Sequence, residues 1–108
     1  MSSISLFEFT VRDDDLDAAR AAVDATLQQT IAFPGSQGVD VLLRDDDPTT
    51  YVVVEYWDDL EADTAYRAWR AGDGVPTEFI NHLAARPRLT HLHRDPQLAH
   101  LVPLNLGN

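Results

Sequence analysis

Residues 4–12, ISLFEFTVR, and 50–57, TYVVVEYW, are apolar at odd and even positions alike. Successive side chains of a strand point to opposite faces. In the first stretch Phe7, Phe9 and Val11 therefore oppose Ile4 and Leu6, and in the second Val52, Val54 and Tyr56 oppose Val53 and Trp57. Neither strand can leave a face in water, so both belong at the centre of a sheet covered on two sides.

The intervening segments supply the cover for one side. From Leu16 the positions Ala19, Ala22, Val23, Thr26, Leu27 and Ile31 recur at three- and four-residue spacing, behind the N-cap candidates Asp13 to Asp15 and ahead of Phe33-Pro34-Gly35, which marks a helix and its end. Val39 to Arg44 reads as a strand, Asp45 to Thr50 as a polar loop, and the pair of strands around that loop as a hairpin. Asp58 and Glu61 form a capping box for a helix whose expected inner side holds Leu60, Ala65, Ala68 and Trp69. Gly72-Asp73-Gly74 interrupts it. Pro76 opens a short third helix with Phe79, Ile80 and Leu83, and Leu89 to His93 is a last strand.

The fold class predicted is α+β, a ferredoxin-like βαββαβ protomer with a four-stranded antiparallel sheet and helices on one face. The helices leave the second sheet face open, and a second copy packed sheet to sheet is its expected cover, giving a homodimer. Residues 1–94 form the expected domain and residues 95–108 an extended C-terminal arm. With 18 acidic against 8 basic residues and a net charge of -10, binding to nucleic acid or to an anionic membrane is not expected. No basic, apolar leader opens the chain and no long apolar run follows, which predicts a cytoplasmic protein.

The segment FPGSQGVDVLLRDDDPTTYVVVEYW followed by DDLEADTAYRAW resembles the antibiotic biosynthesis monooxygenase (ABM) superfamily of dimeric α+β barrels, and the resemblance extends over residues 4–94. It implies a homodimer with an apolar pocket between sheet and helices in each protomer. It also implies oxidation of a small aromatic, polyketide-like or phenolic substrate by O₂ with no cofactor, although a separate branch of the superfamily degrades haem. Trp57 matches the family tryptophan at the end of the third strand, which lines the pocket. Tyr66 stands nearest the place where haem-degrading relatives carry an axial histidine.

Glu55 shares a strand face with Trp57, and Glu8 is mid-strand on the first strand, its expected parallel neighbour. A carboxylate buried there has a raised pKa and suits a general base acting on a phenol. His82 is a third candidate for that proton. Equally, each glutamate could pair with Arg44, His91 or a residue of a partner chain. Trp57, Tyr66, Trp69 and Asn81 are the candidates for holding an aromatic ring, and ordinary core packing is the plainer account of Trp69. His91 and His93 alternate on the last strand but lack a third ligand, so no metal is expected. The function predicted is a cofactor-independent monooxygenase, with a cyclase or isomerase, or a non-catalytic small-molecule-binding accessory protein, as alternatives.

Overall fold

The computed structural model describes residues 2–101, which form β1 (Ser3–Thr10), α1 (Leu16–Ala32), β2 (Ser36–Arg44), β3 (Asp47–Trp57), α2 (Leu60–Ala71), α3 (Thr77–Asn81) and β4 (Arg88–Leu92). The sheet order is β2-β3-β1-β4 with every neighbouring pair antiparallel. This is the ferredoxin-like arrangement predicted, with the two doubly apolar strands at its centre. All three helices lie on the face that carries Phe9, Val11, Tyr51 and Val53, and with Ala19, Val23 and Phe79 these residues form the buried core. Phe9 stacks on Tyr51 at 5.3 Å and meets Phe79 edge-on at 4.8 Å between ring centroids, so one ring ties both central strands to α3.

The expected parallel pairing of β1 with β3 is corrected. The antiparallel register sets Ser5 opposite Glu55 and Glu8 opposite Val52. Side chains directly opposite share a face, and positions an odd number apart do not. Glu8 therefore faces away from Glu55, on the open side of the sheet, in line with Arg88 of β4.

Local chemistry fixes the element ends. Asp15 caps α1 by accepting from the Ala18 amide at 3.0 Å. In α2 the cap is Asp59, which accepts from the Ala62 amide at 2.9 Å, one residue later than the sequence pattern indicates. Asp58 is drawn off by the preceding turn: its amide donates to the Gly35 carbonyl at 2.8 Å and its carboxylate accepts from Gln37 at 3.0 Å. Gly35 has φ +91°, and a Cβ there would lie 2.5 Å from the Ala62 side chain, so both conformation and space demand glycine. The expected 45–50 loop contracts to Asp45-Asp46, and Pro48 falls in the register shift between β2 and β3, where no ladder amide is needed.

The inner side of α2 also differs from expectation. Leu60 is 58% exposed, and Ala65 and Ala68 are exposed as well. The buried residues are Asp63 and Tyr66. The helix presents a polar strip inward because the sheet beneath it carries polar partners, Ser5, Glu55 and His91. At the chain's end, the Leu98 amide bonds the Asp95 carbonyl and the Leu101 amide the Leu98 carbonyl, each at 3.0 Å, forming consecutive turns. The rest of the predicted arm lies outside the described residues. No described helix is long and apolar enough to cross a membrane.

Candidate active site

Between the sheet and the three helices lies a cavity of about 300 Å³, at the lower end of the range for small-molecule sites. Phe7, Phe9, Leu27, Phe79 and Leu89 give it apolar walls, and Glu55, Tyr66, Arg67 and Arg70 close one side. A larger groove of about 760 Å³ runs between α1 and β2. Its charged residues Asp17, Arg20 and Asp24 are all exposed, whereas the smaller cavity holds a desolvated carboxylate, which makes the smaller one the candidate site.

Glu55 is 2% exposed. Burial pushes its carboxyl pKa up, against the opposing pull of the Arg67 guanidinium and the Trp57 indole N–H, and nearby Asp63 pushes it up further. Trp57 Nε1 donates to Glu55 Oε1 at 3.2 Å, and Arg67 Nη2 donates to the same oxygen. Arg67 Nε donates to Asp63 Oδ1 at 3.0 Å. The other oxygen of Asp63 accepts from Ser5 Oγ and lies 3.1 Å from His91 Nδ1, which is itself 3.2 Å from Ser5 Oγ. One guanidinium thus bridges two buried carboxylates, and a half-exposed imidazole closes the network at the β4 edge.

The two oxygens of Glu55 are not equivalent. Among the described residues Oε1 takes both hydrogen bonds and Oε2 takes none, while Nη1 of Arg67 finds no acceptor. Arg70 is the opposite case. Its five N–H groups reach Tyr66 Oη, Gln29 Oε1, the carbonyls of Gly74 and Thr26, and Thr30 Oγ1, so it is a structural clamp. Tyr66 Oη lies 2.7 Å from Arg70 Nε and 2.7 Å from Thr30 Oγ1. Its hydroxyl is occupied on the helix side, and its ring, flanked by Arg67 and Arg70, is what the cavity sees.

Of the predicted site residues, Glu55 and Tyr66 line the cavity. Trp57 is fully buried beside them, 4.9 Å from the Tyr66 ring. Trp69 packs on Phe33 and under Gly74, whose Cβ would fall 2.3 Å from the indole. Three candidates lie elsewhere: Glu8 on the open sheet face, Asn81 exposed at the end of α3, and His82 in a shallow depression between α1 and α3. His91 spends Nδ1 on Asp63 and Ser5, and among the described residues no group of three or more His, Cys, Asp and Glu is placed to hold a metal ion. Asp63, Arg67 and Ser5 escape the sequence reading. The Asp63–Arg67 i,i+4 spacing was their one visible signal, and on a helix surface that spacing is commonplace.

The family model described as antibiotic biosynthesis monooxygenase matches residues 3–76. No curated protein matches. Among solved structures, Rv0793 from Mycobacterium tuberculosis is 21% identical, with a TM-score of 0.71 over 87% of this chain and 95% of its own. A variant of SnoaB, a cofactor-independent oxygenase from Streptomyces nogalater, is 16% identical, with a TM-score of 0.72 over 86% and 92%. A conserved protein from Methanosarcina mazei is 9% identical, with a TM-score of 0.75 over 88% and 94%. These likenesses establish a shared fold.

Proposed function

We propose, from the premise that this chain belongs to the antibiotic biosynthesis monooxygenase family, that it oxidises a phenolic aromatic compound with O₂ and needs no cofactor for the reaction. The observation that carries this reading is Glu55: a buried carboxyl with a raised pKa and one oxygen that has no partner among the described residues, set in the wall of a ring-lined cavity. Glu55 Oε2 takes the phenol proton. The resulting phenolate places electron density on ring carbon and gives it to O₂, and the apolar walls keep water from competing. For oxidation of a phenol to a quinone the balance is C₆H₆O + O₂ → C₆H₄O₂ + H₂O, with O₂ as the four-electron acceptor. Trp57 holds Glu55 in place through its indole N–H, and the Tyr66 ring forms part of the wall.

The test is oxygen uptake by the purified protein with phenols of one to three fused rings. The expected result is one O₂ consumed per substrate lost. Conversion without O₂ uptake identifies a cyclase or isomerase on the same scaffold, and binding without conversion identifies a binding protein.

The protomer pairs with a second copy through its open sheet face. Ile4, Leu6, Val52 and Val54 lie on that face only half-buried, and Leu42 and Leu92 are 51% and 42% exposed, a contiguous apolar surface of the kind that marks an interface. Sedimentation at micromolar concentration is expected to give twice the 12.0 kDa chain mass, and Val54→Glu is expected to give the single-chain mass. A wild-type chain that sediments as a monomer overturns the pairing.

A further inference from the structure

We infer that Arg67 is the substrate's anion-binding residue, so that the cavity selects aromatic compounds that can bind as phenolates and discriminates against neutral arenes. This deepens the oxygenase reading and rests on it for the identity of the site. Its basis is a count of donors. Arg67 Nε and one N–H of Nη2 are committed to Asp63 and Glu55, which leaves three of the five guanidinium N–H groups without an acceptor among the described residues. The residue lines the cavity, and its side chain is 23% exposed.

The surroundings make this donor set specific. The chain carries a net charge of -10 and has eight basic residues, all arginines, yet two of them are at this one cavity. Arg70 is fully engaged by protein acceptors. Of the elements packed around Glu55, α2 contributes Asp63, Arg67 and Arg70, β4 contributes His91 through Asp63, and the wall residues from β1, α1 and α3 are uncharged. Among the described residues Arg67 is therefore the one cation at the wall with donors to spare, beside the one carboxylate oxygen there that is free to accept a proton.

The two groups act together. When the phenol O–H proton moves to Glu55 Oε2, the carboxylate that faced Arg67 becomes neutral and the new phenolate takes its place as counter-ion at Nη1. The total charge of phenol, Glu55 and Arg67 is the same before and after, so no uncompensated charge forms in the low-dielectric cavity. An apolar pocket without this exchange disfavours the phenolate, because desolvation penalises the charged form.

The probe is 4-nitrophenol, whose ionisation is read from its visible absorbance. Bound to the wild-type chain, it is expected to ionise at least one pH unit below the free compound, a tenfold shift in the ionisation equilibrium. Arg67→Lys, which keeps the charge but not the fork, is expected to retain part of the shift, and Arg67→Met to reverse its sign. If Arg67→Met does not fold, the wild-type measurement alone decides. Ionisation of the bound probe at or above the pH of the free compound, or no binding at millimolar concentration, overturns the inference. A phenolate-bound probe in a protein that takes up no O₂ with any phenol leaves the inference standing and removes the oxygenase reading. Oxygen uptake alongside a probe bound in its neutral form does the reverse.

Discussion

Glu55→Gln is expected to lose turnover by about two to four orders of magnitude, the usual contribution of a positioned general base, and yet to melt a few degrees above the wild-type chain at pH 8. The two effects share one cause. Burial is the largest influence on the Glu55 carboxyl and raises its pKa despite Arg67 and Trp57. The folded chain therefore holds this proton more tightly than the unfolded chain does. Between the ordinary carboxylate range and the raised value the folded state binds more protons, so stability falls as pH rises through that interval. Above the raised value Glu55 is ionised and the fold carries the cost of burying that charge. Glutamine occupies the same space, accepts from Trp57 and Arg67 through its amide oxygen, and carries no charge. The gain over wild type is expected to shrink towards zero below about pH 4.5, where Glu55 is neutral in folded and unfolded chains alike. Melting curves at several pH values, paired with oxygen uptake, check both halves. A variant less stable than wild type at pH 8 would mean that the Arg67 ion pair outweighs burial, and Glu55 would then be a structural anion and not a base. In the wild-type chain the same raised pKa places the acid limb of the activity profile above the usual carboxylate range.

Much of this arrangement was legible in the sequence, and the reasons differ by element. The order of strands and helices follows from two periodicities that seldom imitate each other, the two-sided apolar runs of β1 and β3 and the three-to-four spacing of α1. Face assignment within β3 was equally readable, because Glu55 and Trp57 are two apart. The relation between strands was not. The element order predicts an antiparallel sheet, but nothing local to Glu8 gives the register of β1 on β3, and that register sends Glu8 to the open face. The rotation of α2 was hidden for a deeper reason. Sequence pattern assumes that apolar residues turn inward, and α2 turns Asp63 inward because Ser5, 58 residues away, and His91, 28 residues away, are brought beneath it by the sheet. A buried carboxylate is tolerated only where such partners exist, and partners distant in the chain cannot be read from the helix itself. His82 and Asn81 are near the cavity in sequence terms, but α3 ends after Asn81 and its inward residue is Phe79.

Asp63→Ala should be the most destabilising single change in the site, at about 3–5 kcal/mol, the usual cost of removing one partner from a buried ion pair. Against a total stability of about 5–15 kcal/mol for an ordinary domain, that leaves a marginal protein. Asp63 is fully buried, and each of its oxygens is engaged, Oδ1 by Arg67 and Oδ2 by Ser5 and His91. Its removal leaves the buried Ser5 hydroxyl with His91 as its remaining partner and Arg67 paired to Glu55 alone. Here the contrast with Glu55 becomes diagnostic. The two carboxylates belong to one network, but the fully partnered one is expected to be stabilising and the half-partnered one costly, so Asp63→Ala and Glu55→Gln should shift the urea midpoint in opposite directions with unchanged slope. A double-mutant cycle separates the pair from the rest. If the role of Asp63 is to hold Arg67, then Asp63→Ala in an Arg67→Met background should cost far less than in the wild-type chain. Equal costs in the two backgrounds would mean that Asp63 acts through Ser5 and His91, and that Arg67 keeps its place at the cavity wall by its bond to Glu55.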